Sequence, residues 1–381
     1  MSIFNSIRES RRILPAFAAQ GVFWGAFAAY VPHLKEAIAA SDADYGLVLL
    51  FPAVGALTAM WLAPMVEQIL GRYTLLVSMV FFALAMQLPV QVSGLWAFAG
   101  LMVFVGAGAG VLDVVSNSWL SGVEARSGRS LMNLNHGVFS LAYGFSAISA
   151  GMTRDAGLGP QWLFLLLLLL VLLSSGNTLG DAPAASAGAE TSRNRRFPRV
   201  VLWGGLIILA GFLAENATEG WAALHIERTL GGGAAEGALG PAMLGFTMAF
   251  GRFAGQLLTT RFAEAQVVLC AAVLTVTGAL IAAAAISPAM AYAGFALLGL
   301  GVSVVAPMVF ALIGRRVAEA DRARAISRAA VIGYFGFFIG PPVMGFVAQT
   351  GGLRLSFVFV AAVMALVPGL LVLLRRSEAA A

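Results

Sequence analysis

The sequence predicts an all-α integral membrane protein of twelve transmembrane helices in two pseudo-symmetric six-helix bundles. Three observations carry that prediction. First, 60% of the 381 residues are hydrophobic and only 11% are charged, where a soluble domain carries roughly 25% charged residues. A water-soluble fold of this size could not hide so much apolar surface. Second, about 20 apolar residues cross a bilayer core, and a ruler of that length finds twelve segments. They are 13–37, 44–68, 73–92, 95–121, 130–152, 161–179, 201–226, 238–260, 265–286, 289–314, 325–348 and 354–374. Third, the arginines alternate. With both termini on one side, 18 of the 23 basic residues fall in loops on that side and four (Lys35, Arg154, Arg228, Arg354) on the other, leaving Arg252 inside a span. The positive-inside rule then puts both termini in the cytoplasm of a bacterial-type inner membrane, as a multi-pass protein. It also explains the net charge of +5 and the pI near 9.9, so no nucleic-acid partner is expected.

The elements follow in chain order. MSIFNSIRESRR precedes an apolar stretch longer than the roughly 15 residues of a signal-peptide core, so it opens an uncleaved first helix. On that helix Gln20, Trp24 and Phe27 are spaced for one face. Span 4 carries Gly106, Gly110, Asp113 and Asn117 on one face. The glycines either pack a neighbouring helix or clear room for a ligand. Asp113 either carries a proton or makes a structural hydrogen bond. Span 5 aligns Asn133, His136, Ser140 and Tyr143. His136 faces a substrate or bonds a neighbouring helix. Span 6 is WLFLLLLLLVLL (162–173), suited to lipid alone. The stretch GDAPAASAGAETSRNRRFPR (180–199) is small, polar and basic, and reads as a solvated linker between halves 1–179 and 200–381.

The second half opens with the segment that most needs explaining. GFLAENATEGW (211–221) places Glu215 and Glu219 one helical turn apart inside an apolar span. A charge at the bilayer centre costs roughly 2.5–3.5 kcal/mol, so these carboxyls should line an aqueous cavity. There at least one of them could gain and lose a proton. Arg252 and Gln256 are four apart in span 8. Arg252 either clamps an anionic substrate group or neutralises the glutamates. Asp113 with Asn117 keeps sodium open as the coupled ion in place of a proton. Cys270, the single cysteine, reads as a small buried apolar side chain. Pro307 and the pair Pro341-Pro342 break helix hydrogen bonds in spans 10 and 11. Trp221, Tyr334 and Phe338 join Trp24 as aromatics that could stack on a bound ring. Asn216-Ala217-Thr218 fits a glycosylation sequon but lies in the membrane. No metal-ligand cluster, phosphate-binding loop or nucleophile–base pair is found, so neither an enzyme nor a cofactor is expected.

A shift of 194 residues brings FAAY (27–30) onto WAAL (221–224) and Gly46, Gly151 and Gly157 onto Gly240, Gly345 and Gly351. Twelve spans, a six-plus-six repeat and a basic central linker resemble the major facilitator superfamily over nearly the whole chain. DVVSNSW (113–119), GVEARSGRSLMNLNHG (122–137) and EGW (219–221) look like its fucose-permease-like bacterial branch. The superfamily's loop motif between spans 2 and 3 survives partly in PMVEQILGRY (64–73). Gly71 and Arg72 match, but Gln68 holds the aspartate position and Pro64 the first glycine. Glu67 would take over the missing carboxylate's part, and Glu67 and Arg72 would pair with charges at the ends of neighbouring helices in a cytoplasmic gate. The resemblance implies that spans 1, 4, 7 and 10 line a central cavity, spans 2, 5, 8 and 11 flank it, and spans 3, 6, 9 and 12 face lipid. It implies a secondary active transporter working by alternating access, as a monomer in lipid, on a small-molecule substrate. The coupling ion would be a proton or sodium, and the direction either uptake by symport or drug and metabolite efflux by antiport. A non-transporting membrane sensor with this fold is the third reading.

Overall fold

The computed structural model describes residues 3–180, 198–258 and 261–377. Among them there is no strand. The α-helices are α1 (Ile3–Ser10), α2 (Leu14–Ala37), α3 (Asp42–Val48), α4 (Leu50–Leu70), α5 (Thr74–Ala85), α6 (Leu95–Ser127), α7 (Met132–Asp155), α8 (Pro160–Ser175), α9 (Arg199–Leu224), α10 (Ala234–Leu258), α11 (Glu264–Ala284), α12 (Pro288–Gly314), α13 (Arg322–Met364) and α14 (Val367–Arg376). By length and composition alone, eight helical stretches among the described residues could cross a membrane. Most of the expected linker, residues 181–197, lies outside the described residues.

Local sequence sets the helix ends. Prolines 160 and 288 stand in the first turns of α8 and α12, where a missing N–H costs nothing. Gly128 ends α6 in the left-handed region at φ 64°. Ser41 and Asp44 form a reciprocal cap, Asp44 N–H to Ser41 Oγ at 3.1 Å and Ser41 N–H to Asp44 Oδ2 at 3.2 Å. That cap starts α3 as a short helix distinct from α4, so the second expected span is broken near Leu49. Gly352, with φ 77° and ψ 169°, separates two helices within α13, where the sequence placed the boundary between spans 11 and 12.

Within the first half α2 packs on α7, α4 on α6, and α5 on α6 and α8. Within the second α9 packs on α13, and α12 on both α10 and α11. Lipid is the solvent for the outer faces: Leu165, Leu166, Leu169, Leu170 and Leu173 of α8 are all exposed. Cys270 is exposed on α11, not buried. Its outward face is apolar and needs no polar partner.

Two seams join the halves. Along α7, Gly137, Gly144 and Gly151 recur every seven residues and receive Phe253, Phe246 and Ala238 of α10. The second seam is shorter. Gly46 of α3 meets α13 so closely that a Cβ there would lie 2.6 Å from the Pro341 carbonyl oxygen and 3.0 Å from Gly345 Cα. This contact lies at the end of the molecule opposite the linker.

Candidate functional site

Between the seams the two halves enclose a cavity of about 310 Å³. From the first half it is lined by Phe17, Gln20 and Trp24 of α2, Ala56 and Met60 of α4, Gly110 and Asp113 of α6, and His136 and Phe139 of α7. The second half contributes Phe212, Glu215, Asn216 and Glu219 of α9, Arg252 of α10, and Tyr334 and Phe337 of α13. No residue of α12 lines it, contrary to the expectation for span 10. That helix sits behind α9 and α10, with Gly299 against Leu244 and Val305 against Gly211.

Arg252 is the hub. Its Nη2 lies 3.2 Å from Glu215 Oε1, while Nη1 donates to the Ser140 hydroxyl and to the His136 carbonyl at 3.3 Å. One guanidinium therefore ties α9 to α10 and reaches across to α7 of the other half. Both Arg252 and Glu215 are about one-eighth exposed. A bonded, buried pair tolerates a low dielectric that neither partner tolerates alone. Arg252 thus has Glu215 as its counter-charge within the cavity.

Asp113 faces the same cavity from α6. Asn117, one turn on, donates Nδ2–H to Asp113 Oδ1 at 2.9 Å, and its own Oδ1 lies 3.2 Å from His136 Nε2. Asn117 does not line the cavity; it orients Asp113 and His136. His136 also meets the ring of Phe17 edge-on at 4.9 Å. Tyr334 of α13 comes near enough to Asp113 for hydroxyl and carboxyl to interact across the cavity. Glu219 is different. Among the described residues no hydrogen bond or ion pair reaches it.

Glu219, Asn216 and Trp24 also form the floor shared with a second, smaller chamber of about 70 Å³. Tyr45, Tyr143, Phe27 and Pro341 belong to that chamber alone. Tyr143, read from the sequence as a residue of the main cavity, therefore lies below it. Trp221 lines neither. It is completely buried and packs edge-on to Tyr45 at 5.5 Å. Phe337, not Phe338, faces the cavity. Gln256 is on α10, but its side chain lies outside the described residues. Gly106 and Gly110 serve packing first: each comes against backbone of α4, at Pro52 and Ala56.

Among the described residues no ion pair from a neighbouring helix end reaches Glu67 or Arg72. The indole N–H of Trp119 donates to Glu67 Oε1 at 2.8 Å, and the Arg72 guanidinium lies over the Tyr73 ring at 5.2 Å. At the opposite end the halves are joined by ion pairs. Arg154 grips Glu227 with both prongs, at 2.6 and 2.9 Å. Arg228 and Lys35 share Asp42, at 2.5 and 3.0 Å. The Asp42 backbone N–H also donates to Gln349 Oε1 at 3.1 Å. Glu227 and Arg228 sit on a π-helical turn, His225–Thr229, at the end of α9; such wide turns recur at functional places.

Comparison with known proteins agrees with this geometry. The sequence profile of the Major Facilitator Superfamily matches residues 13–264 and 205–381. An uncharacterised MFS-type transporter of Yersinia pestis is 29% identical over 348 residues, covering 90% of this chain and 89% of the relative. A bacterial homologue of the human lysosomal transporter Spinster, solved in an inward-facing, occupied conformation, superposes with a TM-score of 0.77 at 14% identity, covering 99% of this chain and 98% of that one. The Escherichia coli fucose:proton symporter shares the fold with a TM-score of 0.61 at 17% identity, over 98% of this chain and 99% of that one. The apolar helices, the cavity between two halves and the profile matching nearly the whole chain together make this chain a multi-pass membrane transporter of the Major Facilitator Superfamily.

Proposed function

We propose that the protein is a proton-coupled secondary transporter that moves a small solute across the bacterial inner membrane by alternating access. Residues 1–179 and 200–381 are its two rocking halves, each of six spans, with the linker and both termini in the cytoplasm. One observation carries the coupling: Glu219 stands in the inter-half cavity with no hydrogen-bond or ion-pair partner among the described residues, one turn from a glutamate that Arg252 already holds. A carboxyl without a fixed counter-charge is free to exchange protons with the cavity. Sodium would need several oxygens converging on one carboxylate. Asp113 instead has an amide N–H of Asn117 pointed at it, which favours the proton.

The ion pairs of Arg154, Glu227, Asp42 and Arg228 support a state closed on the periplasmic side. The cavity runs from Trp24 and Glu219 toward Phe17 and His136, which lie within two turns of the linker-side starts of α2 and α7. This is the arrangement of a transporter open to the cytoplasm. In the opposite state the far-end pairs would part and the cytoplasmic ends, including Glu67 and Arg72, would close.

The test is lumenal pH in proteoliposomes challenged with pools of sugars, amino acids, organic acids and cationic amphiphiles. A pool that moves protons supports the reading. The sign of the lumenal change, acid with solute entry or alkaline, separates symport from antiport. Flux that needs sodium and ignores pH would overturn proton coupling.

A further inference from the structure

The small chamber beneath the main cavity has a composition of its own. Four of its walls are aromatic: Trp24, Phe27, Tyr45 and Tyr143. Trp24 and Phe27 stand edge to face at 5.7 Å. Its one charged residue is Glu219, which has no ion-pair partner. Tyr45 is fully buried and Tyr143 is 2% exposed. A carboxylate with no ion-pair partner among the described residues, set between aromatic walls, suits a cationic occupant.

We propose that this chamber is a recognition subsite for the ammonium group of an organic cation, whose remaining ring or chain lies in the main cavity above. The inference rests on reading the main cavity as the substrate site. Its chemistry is specific. Ring faces attract a cation through their quadrupoles, most strongly when it is desolvated. Glu219 supplies the opposite charge, and Tyr45 and Tyr143 contribute aromatic walls. About 70 Å³ holds an ammonium or a small alkylated ammonium but not a ring. The cavity above offers Phe212, Tyr334 and Phe337 for the rest of the solute. An anionic head is disfavoured, because the chamber's lining carries Glu219 and no cation, and Arg252 of the cavity above is paired with Glu215. A cation and a proton contending for one carboxylate displace each other, so the subsite also favours exchange of the two over their passage together.

The experiment is equilibrium binding to the purified full-length protein in detergent, with no gradient, using probes that share a ring and differ in the head. These are phenethylamine and benzyltrimethylammonium as cations, phenethyl alcohol as the neutral match and hydrocinnamate as the anion. The expected result is that at least one cation binds about tenfold or more tighter than the alcohol, that the anion binds weakest, and that cation binding weakens as pH falls. Glu219→Gln should erase the preference for the cation, and Tyr143→Leu, which removes an aromatic wall, should reduce it. Cys270→Ser, on the exposed face of α11 and outside both chambers, should leave it intact. Equal binding of cation and alcohol, a preference that survives Glu219→Gln, or no binding of either cation at millimolar concentration would each overturn the assignment. Binding is read without a proton gradient, so its failure leaves proton-driven transport standing. Proton-silent liposomes would likewise leave a measured cation preference standing.

Discussion

Replacing Glu227 by glutamine removes the anion from the strongest tie between the halves at the far end. Arg154 and Glu227 are 10% and 16% exposed, and both prongs of the guanidinium are engaged. After the substitution Arg154 keeps the Ala29 carbonyl at 2.7 Å and the Tyr30 ring at 5.8 Å, but no counter-charge. Stripping one partner from a fully buried pair costs about 3–5 kcal/mol, and the residual solvent access here reduces that to about 2 kcal/mol. The pair exists only while the far end is closed, so the cost falls on the closed state. About 2 kcal/mol changes the closed-to-open ratio about thirtyfold. Arg228 is 48% exposed, and Arg228→Ala should cost no more than about 1 kcal/mol. The assay is pulsed electron resonance between spin labels at Ala37 and Gly233, both exposed at the far end, in a Cys270→Ser background. Glu227→Gln should add a longer-distance population that Arg228→Ala barely raises. Distributions that superimpose on the parent, or an equal response to both substitutions, would refute the reasoning.

Three further outcomes follow from the same contacts. Gly46→Leu should hold the far end open in the same measurement, since even a Cβ there would press on the Pro341 carbonyl. Arg252→Lys should lower transport about tenfold or more despite keeping the charge, because one ammonium cannot serve Glu215, Ser140 and the His136 carbonyl in fixed geometry; unchanged uptake would show that the three-way tie is dispensable. Cys270→Ser, on an exposed apolar face, should leave the melting temperature and transport close to the parent, and a drop of several degrees would place that side chain in a packed interface.

The architecture was legible because hydropathy and arginine placement report burial and sidedness directly, without tertiary detail. The cavity was half legible. Gln20, Asp113, Glu215, Glu219 and Arg252 stood out because charge and amide groups are expensive in lipid, and Trp24 because it is an aromatic on the face of Gln20. Phe17 and Phe212 were missed, although they extend the same faces by one turn, at three residues before Gln20 and Glu215. Asn216 was set aside as a sequon when its neighbours on both sides were the point. Trp221 misled because its face is fixed by Tyr45, a residue distant in sequence. The far-end ion pairs were hidden for a related reason. Lys35, Arg154 and Arg228 read as loop charges, and only folding brings Asp42 and Glu227 to them. Glu67 was expected to meet a charge at a neighbouring helix end, whereas the neutral indole of Trp119, 52 residues away, holds it in space.

The central claim is that Glu219 carries the coupled proton. It is tested most directly by solute flux into proteoliposomes with and without an imposed pH gradient, comparing the parent with Glu219→Gln and Glu215→Gln. The account predicts that any flux remaining in Glu219→Gln runs downhill only and ignores the gradient, while the parent accumulates solute in response to it. Gradient-driven accumulation with unchanged pH dependence in both variants would contradict it.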